Sequence, residues 1–189
     1  VGPGVFVPRP ETESVADIAI RALRSDAVER LAVDLCTGSG AIALAIATEV
    51  RHSVVHAVEV DPAAFDWAAR NVRSAAPALQ AADSRVELHL GDATQAHLDS
   101  LAALVGRVDV VVSNPPYIPD GAVPRDPEVR DHDPARALYG GSDGLAVDGQ
   151  GPRAMRTGDG RMHDGFREMV RGRLVYFSDT DSRRWTQAD

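Results

Sequence analysis

The segment that most constrains the fold is an apolar run that ends in an amide, two prolines and an aromatic residue. Residues 108–117 read Val-Asp-Val-Val-Val-Ser-Asn-Pro-Pro-Tyr. A run this rich in valine predicts a strand that is covered on both faces, as in a parallel sheet. Proline lacks an N–H group and cannot pair within a sheet, so the strand must end before Pro115. Asn114 therefore lies just past the carboxyl end of the strand, the edge at which open parallel sheets bind ligands.

The residues that follow this strand favour the binding of a planar NH2 group. The two prolines fix the backbone φ angle and remove two donors, so the turn is rich in acceptors. The side-chain oxygen of Asn114 and the carbonyl of Pro115 could each accept one N–H from an amide or an exocyclic amine, and Tyr117 could pack against its plane. Taken alone, the same residues also fit a rigid strand-to-loop turn that binds nothing.

Helices and strands alternate through the segment that precedes this run. Apolar periodicity predicts strands at 31–35, 54–59 and 85–90, and helices at 14–24, 41–50, 62–73 and about 94–104. Such alternation predicts an α/β fold, with a mostly parallel sheet and helices on both of its faces.

Polar residues close several of these predicted strands. Glu59 ends the second strand and Asp92 follows the third, while the glycine turn Cys36–Gly40 follows the first. A strand, glycine turn and helix in this order let backbone N–H groups approach a cofactor, and a carboxylate about twenty residues later commonly holds a ribose diol. A single polar residue at the end of one strand often has no role in binding. Several at the same sheet edge predict a shared ligand crevice.

The overall composition restricts the classes of partner. The 189 residues suit one domain, and the formal net charge of −8 argues against a broad electrostatic surface for nucleic acid. The single cysteine, Cys36, excludes an internal disulfide and fits a reducing, cytoplasmic compartment. No apolar run approaches membrane-spanning length, so no membrane partner is expected. The six histidines show no spacing typical of metal ligands, and no metal is expected.

The motifs taken together resemble a known family. Asp-Leu-Cys-Thr-Gly-Ser-Gly at 34–40, with Glu59, Asp92 and the Asn-Pro-Pro-Tyr turn, resembles S-adenosylmethionine-dependent methyltransferases of the Rossmann-like class I type. Pro-Arg-Pro-Glu-Thr-Glu at 8–13 and the segment 133–145 narrow the resemblance to the HemK/PrmC family. Members of that family methylate the glutamine of the Gly-Gly-Gln motif in peptide chain release factors. The resemblance covers roughly residues 1–147.

The resemblance implies S-adenosyl-L-methionine as the cofactor. The glycine turn and Asp34 would surround its methionine part, Glu59 would hold the ribose hydroxyls, and Asp92 would lie beside the adenine. The residues implied to bind it are Asp34, Thr37, Gly38, Gly40, Glu59, Asp92 and Asn114. Cys36 stands where the family usually has glycine, and we expect it to pack rather than react.

The resemblance also assigns the substrate amide to the Asn-Pro-Pro-Tyr turn. Catalysis would rest on Asn114, Pro115 and Tyr117. It would come mainly from positioning, because methyl transfer from a sulfonium produces a cationic nitrogen that can lose its proton late. The residues implied to bind the substrate are Arg9, Pro10, Thr12, Asn114, Pro115, Pro116 and Tyr117. The implied partners are class 1 peptide chain release factors, and nucleic acid is not expected as a direct substrate.

The chain departs from the family pattern at both ends. The family has a helical domain before the arm, and this chain begins at the arm. A methyltransferase domain is predicted at 1–147, with its N-terminal arm at 1–13, and a divergent tail is predicted at 148–189. Within the tail we expect a short helix at 165–170 and one strand at 174–177, with the rest irregular and the sheet incomplete at the C-terminus.

Three functions remain open from the sequence alone. The first is glutamine methylation of release factors. The second is adenine amino-methylation of nucleic acid, which uses the same Asn-Pro-Pro-Tyr chemistry; the acidic balance and the lack of an inserted base-reading domain oppose it. The third is a catalytically inactive fragment that binds the cofactor, for which the divergent tail is the main support.

Overall fold

Within the described residues, five strands form a wholly parallel sheet at the centre of the structure. The computed structural model describes residues 1–23, 30–93, 101–124, 127–142 and 170–176, the last range as backbone. The strands are β1 (Arg30–Leu35), β2 (Ser53–Glu59), β3 (Arg85–Leu90), β4 (Val108–Ser113) and β5 (Val170–Tyr176). Their order is β3-β2-β1-β4-β5, so the chain steps outward on one side of β1 and then on the other. This reversal places a topological switch point between β1 and β4, where such folds bind ligands.

Six α-helices connect and flank these strands in the described part of the chain. They are α1 (Pro10–Leu23), α2 (Ala41–Glu49), α3 (Pro62–Ser74), α4 (Ala76–Ala82), α5 (Pro127–His132) and α6 (Ala135–Leu138). Asp61 caps α3 by accepting from the N–H groups of Ala63 and Ala64, at 2.8 and 3.3 Å. None of these helices combines the length and the apolar character needed to cross a membrane.

The central strands are buried on both faces, as their apolar sequences predict. Ala32 of β1 belongs to a core that includes α1 and α2, and the next residue, Val33, belongs to a second core on the opposite face. Helix α1 contributes Val15, Ala19 and Leu23, which recur at helical spacing and are fully buried. This two-sided burial fixes the register of β1, β2 and β4, and with it the position of the residues at their carboxyl ends.

The observed elements differ from the sequence-based prediction in three places. Helices α4, α5 and α6 were not predicted. Of the segment predicted as a helix at 94–104, residues 94–100 lie outside the described residues, and the rest contains a short 3-10 turn at Ala102–Leu104. β5 begins at Val170, where a helix was predicted to end, and includes 174–176 of the strand predicted at 174–177. β5 pairs with β4 and covers its outer edge. Phe177 and residues 165–169 lie outside the described residues.

Candidate active site

A cavity of about 540 Å³ opens at the carboxyl ends of β1, β2 and β4. Its volume falls within the range of about 300–1,000 Å³ that is usual for small-molecule sites. The turn after β1, the end of β2 and the turn after β4 form its floor, while the N-terminal arm and helices α5 and α6 form its opposite wall. The cavity therefore lies at the switch point of the sheet.

The glycine turn between β1 and α2 forms one side of the cavity. Gly38 and Gly40 have φ angles of 58° and 81°, which side chains rarely tolerate. A Cβ atom on Gly38 would meet no other atom within 4 Å, whereas one on Gly40 would lie 3.5 Å from the Cβ of Ala68. Gly38 thus leaves open space beside the turn, whereas Gly40 is favoured by its positive φ angle, since a Cβ there would make only ordinary van der Waals contact with Ala68.

Asp34 holds this turn from behind. Its Oδ2 accepts from the Thr37 hydroxyl at 2.5 Å and from the Ala43 N–H at 3.1 Å, which ties β1 to the start of α2. The side chain is fully buried, and this burial raises the pKa of Asp34 to about 7. Oδ1 has no hydrogen-bond partner among the described groups. Asp34 does not line the cavity, and its hydrogen bonds to Thr37 and Ala43 hold the glycine turn, so its predicted contact with the cofactor stays a prediction.

Cys36 occupies the same turn in a conformation that suits glycine. Its φ angle is 60°, in the left-handed region, which is uncommon for any residue with a side chain. The side chain is half-buried and packs against the core that contains Val33 and Leu35, as expected from the sequence. Cys36 also lines the cavity, so this strained position lies directly at the site.

Glu59 joins the end of β2 to the glycine turn. Its Oε2 accepts from the Gly38 N–H at 2.8 Å, and its Oε1 accepts from the N–H groups of Val60 and Asp61, both at 2.9 Å. Burial raises the pKa of Glu59, and these backbone hydrogen bonds partly oppose the rise. A carboxylate has about four acceptor positions, so one remains on Oε2 for a hydroxyl donor in the cavity.

Asn114 lies directly after β4 and is held by the N-terminal arm. Its Nδ2 donates to the Thr12 hydroxyl at 3.4 Å, and the same hydroxyl accepts from the Arg9 N–H, also at 3.4 Å. The Oδ1 atom is buried and has no hydrogen-bond partner among the described groups. Pro115 and Tyr117 line the cavity beside it. A buried acceptor left unpaired is costly, so this oxygen is suited to a donor that a ligand brings.

The arm, α3, and the segment that contains α5 and α6 are joined by contacts between distant parts of the chain. The guanidinium of Arg9 pairs with the buried carboxylate of Asp133 at 2.6 Å and lies 5.3 Å from the centre of the Phe6 ring. The Trp67 Nε1–H of α3 donates to the Pro3 carbonyl at 3.1 Å, which anchors the start of the arm. These contacts hold the wall of the cavity over Asn114.

The structure brings most of the predicted site residues to one cavity, but not all. The residues predicted to bind the substrate all line it: Arg9, Pro10, Thr12, Asn114, Pro115, Pro116 and Tyr117. Of the predicted cofactor contacts, Thr37, Gly38, Glu59 and Asn114 line it, whereas Asp34, Gly40 and Asp92 do not.

Several residues of the cavity wall were missed by the sequence analysis. Phe6, Ile42, Asp61, Arg136 and Leu138 line the cavity as well. Arg136 and Leu138 belong to the segment 133–145 that carried the family resemblance, so that segment was the available signal. Phe6 is the aromatic residue of the arm, and Ile42 belongs to the first turn of α2.

Comparison of the sequence with known families and proteins gives consistent results. The sequence profile of the methyltransferase small domain family matches residues 2–126. A release factor glutamine methyltransferase from Streptomyces coelicolor is 56% identical over 147 residues, which are 77% of this chain and 48% of that protein. One from Bifidobacterium longum is 46% identical over 149 residues, which are 78% of this chain and 50% of that protein. The resemblance predicted from the motifs is confirmed.

A third relative acts on a different substrate. A 4-amino-L-phenylalanine/4-methylamino-L-phenylalanine methyltransferase from Streptomyces pristinaespiralis is 39% identical over 151 residues, which are 78% of this chain and 47% of that protein. The chain therefore spans about half the length of the curated relatives that it matches.

Solved structures share the fold at low sequence identity. A structure assigned as a protein-L-isoaspartate O-methyltransferase from Plasmodium falciparum has a TM-score of 0.55 at 15% identity, with 99% of this chain and 66% of that chain covered. A precorrin-6y C5,15-methyltransferase from Geobacter metallireducens has a TM-score of 0.50 at 13% identity, with 90% and 66% covered. The predicted Rossmann-like class I methyltransferase fold is confirmed. Because the family profile spans more than half of the 189 residues, the chain belongs to the methyltransferase small domain family.

Proposed function

We propose that this chain transfers a methyl group from S-adenosyl-L-methionine to the side-chain amide nitrogen of a glutamine in a peptide chain release factor. The target is the glutamine of the Gly-Gly-Gln motif. The observation that carries the proposal is the buried Oδ1 of Asn114, which has no hydrogen-bond partner among the described groups and belongs to a residue that lines the cavity at the end of β4. The names of the relatives from Streptomyces coelicolor and Bifidobacterium longum support the same substrate. A partner of this kind assigns the reaction to the cytoplasm.

The residues on the other side of the cavity fit the cofactor. Helix α2 has no side-chain N-cap, and its first residues, Ala41 and Ile42, line the cavity. The partial positive charge of a helix N-terminus favours a carboxylate such as that of the methionine part. Gly38 leaves open space, and Glu59 offers one acceptor position to a ribose hydroxyl. When bound, the cofactor supplies a methyl group activated by its positively charged sulfur.

The Asn-Pro-Pro-Tyr turn then positions the nucleophile. Asn114 Oδ1 and the Pro115 carbonyl each accept one N–H of the substrate amide, which fixes the direction of the nitrogen lone pair. Thr12 holds the Asn114 side chain through its hydroxyl, so the acceptor is aligned before the substrate arrives. Tyr117 packs along the planar amide. Positioning of this kind, in a buried site, supplies most of the rate enhancement without a strong base.

A planar aromatic amine is a second candidate substrate. The same two acceptors would receive the NH2 group of an aniline, and the relative from Streptomyces pristinaespiralis is named for such a substrate. Its identity of 39% is lower than the 56% and 46% of the two release factor methyltransferases. The net charge of −8 opposes adenine methylation in nucleic acid, because a phosphate backbone would be repelled. We therefore place the protein glutamine first.

Methyl transfer to competing acceptors tests the proposal. The full chain is incubated with isotopically labelled S-adenosyl-L-methionine and one of four acceptors: a class 1 release factor, the same factor with Gly-Gly-Ala in place of Gly-Gly-Gln, 4-amino-L-phenylalanine, or adenine-containing DNA. Peptide mass spectrometry should find one methyl group on the motif glutamine and none on the other acceptors. The exposed Gln80→Ala change on α4 is the control and should keep the parent rate.

The remaining outcomes contradict the proposal in distinguishable ways. Labelling of only the aromatic amine or only the DNA would establish a different substrate. If no acceptor is labelled, calorimetric titration with S-adenosyl-L-homocysteine shows whether the chain binds the cofactor product. Binding without labelling of any acceptor would indicate an inactive fragment, and the absence of binding would reject the cofactor assignment.

A further inference from the structure

A second cluster of reactive side chains lies away from the cavity, on strands β2 and β3. His56 of β2 is directly opposite Glu87 of β3, and Val58 is opposite His89. Side chains two residues apart on a strand share a face, so the two histidines and Glu87 lie on the same face of the sheet. None of these three residues lines the cavity. The cluster is therefore separate from the proposed methyl-transfer site.

The three side chains converge on one point. His56 Nδ1 lies 2.9 Å from His89 Nε2 and 3.6 Å from Glu87 Oε2, and one ligand atom of each residue lies within 4.8 Å of the others. Ligand atoms at tetrahedral angles around zinc, with bonds of about 2.0–2.1 Å, are about 3.3 Å apart. The two separations from His56 lie on either side of that value, so rotations of the three side chains would admit the ion.

The surroundings hold these side chains in place. The His56 side chain is 10% exposed and that of Glu87 is 42% exposed, so the cluster is firmly packed on one side and open on the other. The two imidazole rings are nearly parallel, at an angle of 23°, with centroids 5.1 Å apart. Arg85 Nε donates to Glu87 Oε1 at 2.8 Å, which orients the carboxylate and leaves Oε2 directed toward His56. An outer partner of this kind is typical of metal-binding carboxylates.

We propose that His56, Glu87 and His89 form a binding site for a divalent transition-metal cation of the zinc class. Two imidazoles and one carboxylate suit zinc, cobalt or nickel, whereas magnesium and calcium prefer oxygen ligands alone. Three protein ligands leave a fourth position for water. The ion would cross-link β3, which ends the described sheet, to the buried strand β2.

Binding requires no net loss of protons. In the metal-free pair, one ring nitrogen donates to the other across 2.9 Å. When the ion replaces this hydrogen bond, the shared proton moves to the far nitrogen of the ring that carried it. Both imidazoles then remain neutral, and each directs a lone pair at the ion.

The test is titration of the full, tag-free chain with metal ions. Calorimetry with Zn²⁺ should show one equivalent bound per chain, and Co²⁺ should give the visible absorption bands of a tetrahedral site. His89→Gln and Glu87→Gln should each weaken binding at least tenfold, as loss of a ligand or its support does. His52→Asn is the matched control, because this exposed histidine has a left-handed backbone that asparagine tolerates. It should bind both metals as the parent does.

A measurement on the parent protein makes the test independent of variant folding. Two-dimensional ¹H–¹⁵N spectra of the imidazoles should show the His56 Nδ1 and His89 Nε2 resonances shifting together as Zn²⁺ reaches one equivalent. Imidazole resonances that do not move at saturating Zn²⁺ would overturn the proposal. So would equal Zn²⁺ affinity in His89→Gln and His52→Asn.

Discussion

Glu59 and Asp34 both belong to buried strands, but their carboxylates face different surroundings. Glu59 reaches the cavity, and hydrogen bonds from three backbone N–H groups stabilise its charge. Asp34 lies behind the glycine turn, where one of its oxygens has two donors and the other has no partner among the described groups. The first carboxylate is suited to binding and the second to shaping the turn. Different experiments therefore test them.

The Glu59→Gln change should weaken the binding of S-adenosyl-L-methionine by about 1.5–3 kcal/mol, because a ribose hydroxyl loses a charged acceptor. Glutamine has nearly the same size as glutamate but carries no charge, so the variant removes the charge without changing the packing. Isothermal titration calorimetry measures the effect. Glu49→Gln, on the exposed side of α2, is the control and should leave the affinity unchanged. Equal affinity in both variants would remove Glu59 from the cofactor site.

The Asp34→Asn change should alter the pH dependence of stability. The pKa of Asp34 rises from its ordinary value of 3.8 to about 7 in the folded protein. The folded state therefore holds this proton more tightly than the unfolded state, and stability falls as pH rises between the two values. The asparagine of the variant does not titrate, so the variant does not lose this stability as the pH rises. The free energy of unfolding of the variant relative to the parent should increase by up to about 3 kcal/mol between pH 5 and pH 8.

Urea unfolding at the two pH values measures this difference. The other titrating groups are common to both proteins, so their contributions cancel in the comparison. A difference between variant and parent that stays constant from pH 5 to pH 8 would show that Asp34 is already charged in the folded protein at the lower pH.

Among the elements, the arm is joined to the segment that contains α5 and α6 by the ion pair between Arg9 and Asp133. The Asp133 side chain is 4% exposed and that of Arg9 is 30% exposed, so this pair is only partly screened by solvent. Asp133→Asn should weaken the docking of the arm by about 1–2 kcal/mol, a value reduced for the exposure of Arg9. Amide exchange in residues 5–7 should become roughly tenfold faster, while the central strands stay protected.

Hydrogen exchange followed by mass spectrometry checks the prediction. Asp131→Asn is the matched control, because Asp131 lies in the same segment but its ion pair with Arg130 is exposed. Kinetics provide a second readout: the KM for the protein substrate should rise in Asp133→Asn, and cofactor affinity should not change. An arm that exchanges at the same rate in both variants would mean that the ion pair does not contribute to its docking and that its other contacts hold it.

The elements that the sequence predicted are those in which apolar residues recur regularly over a long stretch. Val110, Val111 and Val112 in β4 are buried on alternating faces, and that pattern is visible without a structure. Helix α4 was missed because Pro77 looks like the end of the preceding helix, whereas it stands in the first turn of a new one. Helix α6 spans four residues, too few to show a helical period.

The candidate site was predictable where its residues are local motifs. The Asn-Pro-Pro-Tyr turn and the arm line the cavity as expected. The placement of Asp34 was not predictable, because a carboxylate at a strand end can point into the cavity or behind the turn. His56 and His89 are 33 residues apart in the chain, and only the register of β2 with β3 brings them together. Such pairs have no signature in sequence spacing.

At the scale of the whole molecule, the strand order combines two half-sites into one cavity. β1 and β2 supply the glycine turn and Glu59, and β4, on the other side of β1, supplies Asn114. A methyl donor held by the first half would thus face an acceptor held by the second. The two half-sites can therefore be tested separately. A substitution in the half that contains Asn114 should reduce turnover without reducing the affinity for the cofactor.

The Asn114→Ala change removes the acceptor side chain and leaves Gly38 and Glu59 in place. We expect kcat for methylation of the release factor glutamine to fall by about 10²–10³, the usual cost of removing one preorganised hydrogen-bonding group from a reacting centre. The dissociation constant for S-adenosyl-L-methionine, measured by calorimetry on the same preparation, should stay within about twofold of the parent value because the cofactor half is untouched. Gln80→Ala should match the parent in both measurements. An Asn114→Ala protein that methylates the glutamine at the parent rate would show that Asn114 does not position the acceptor amide.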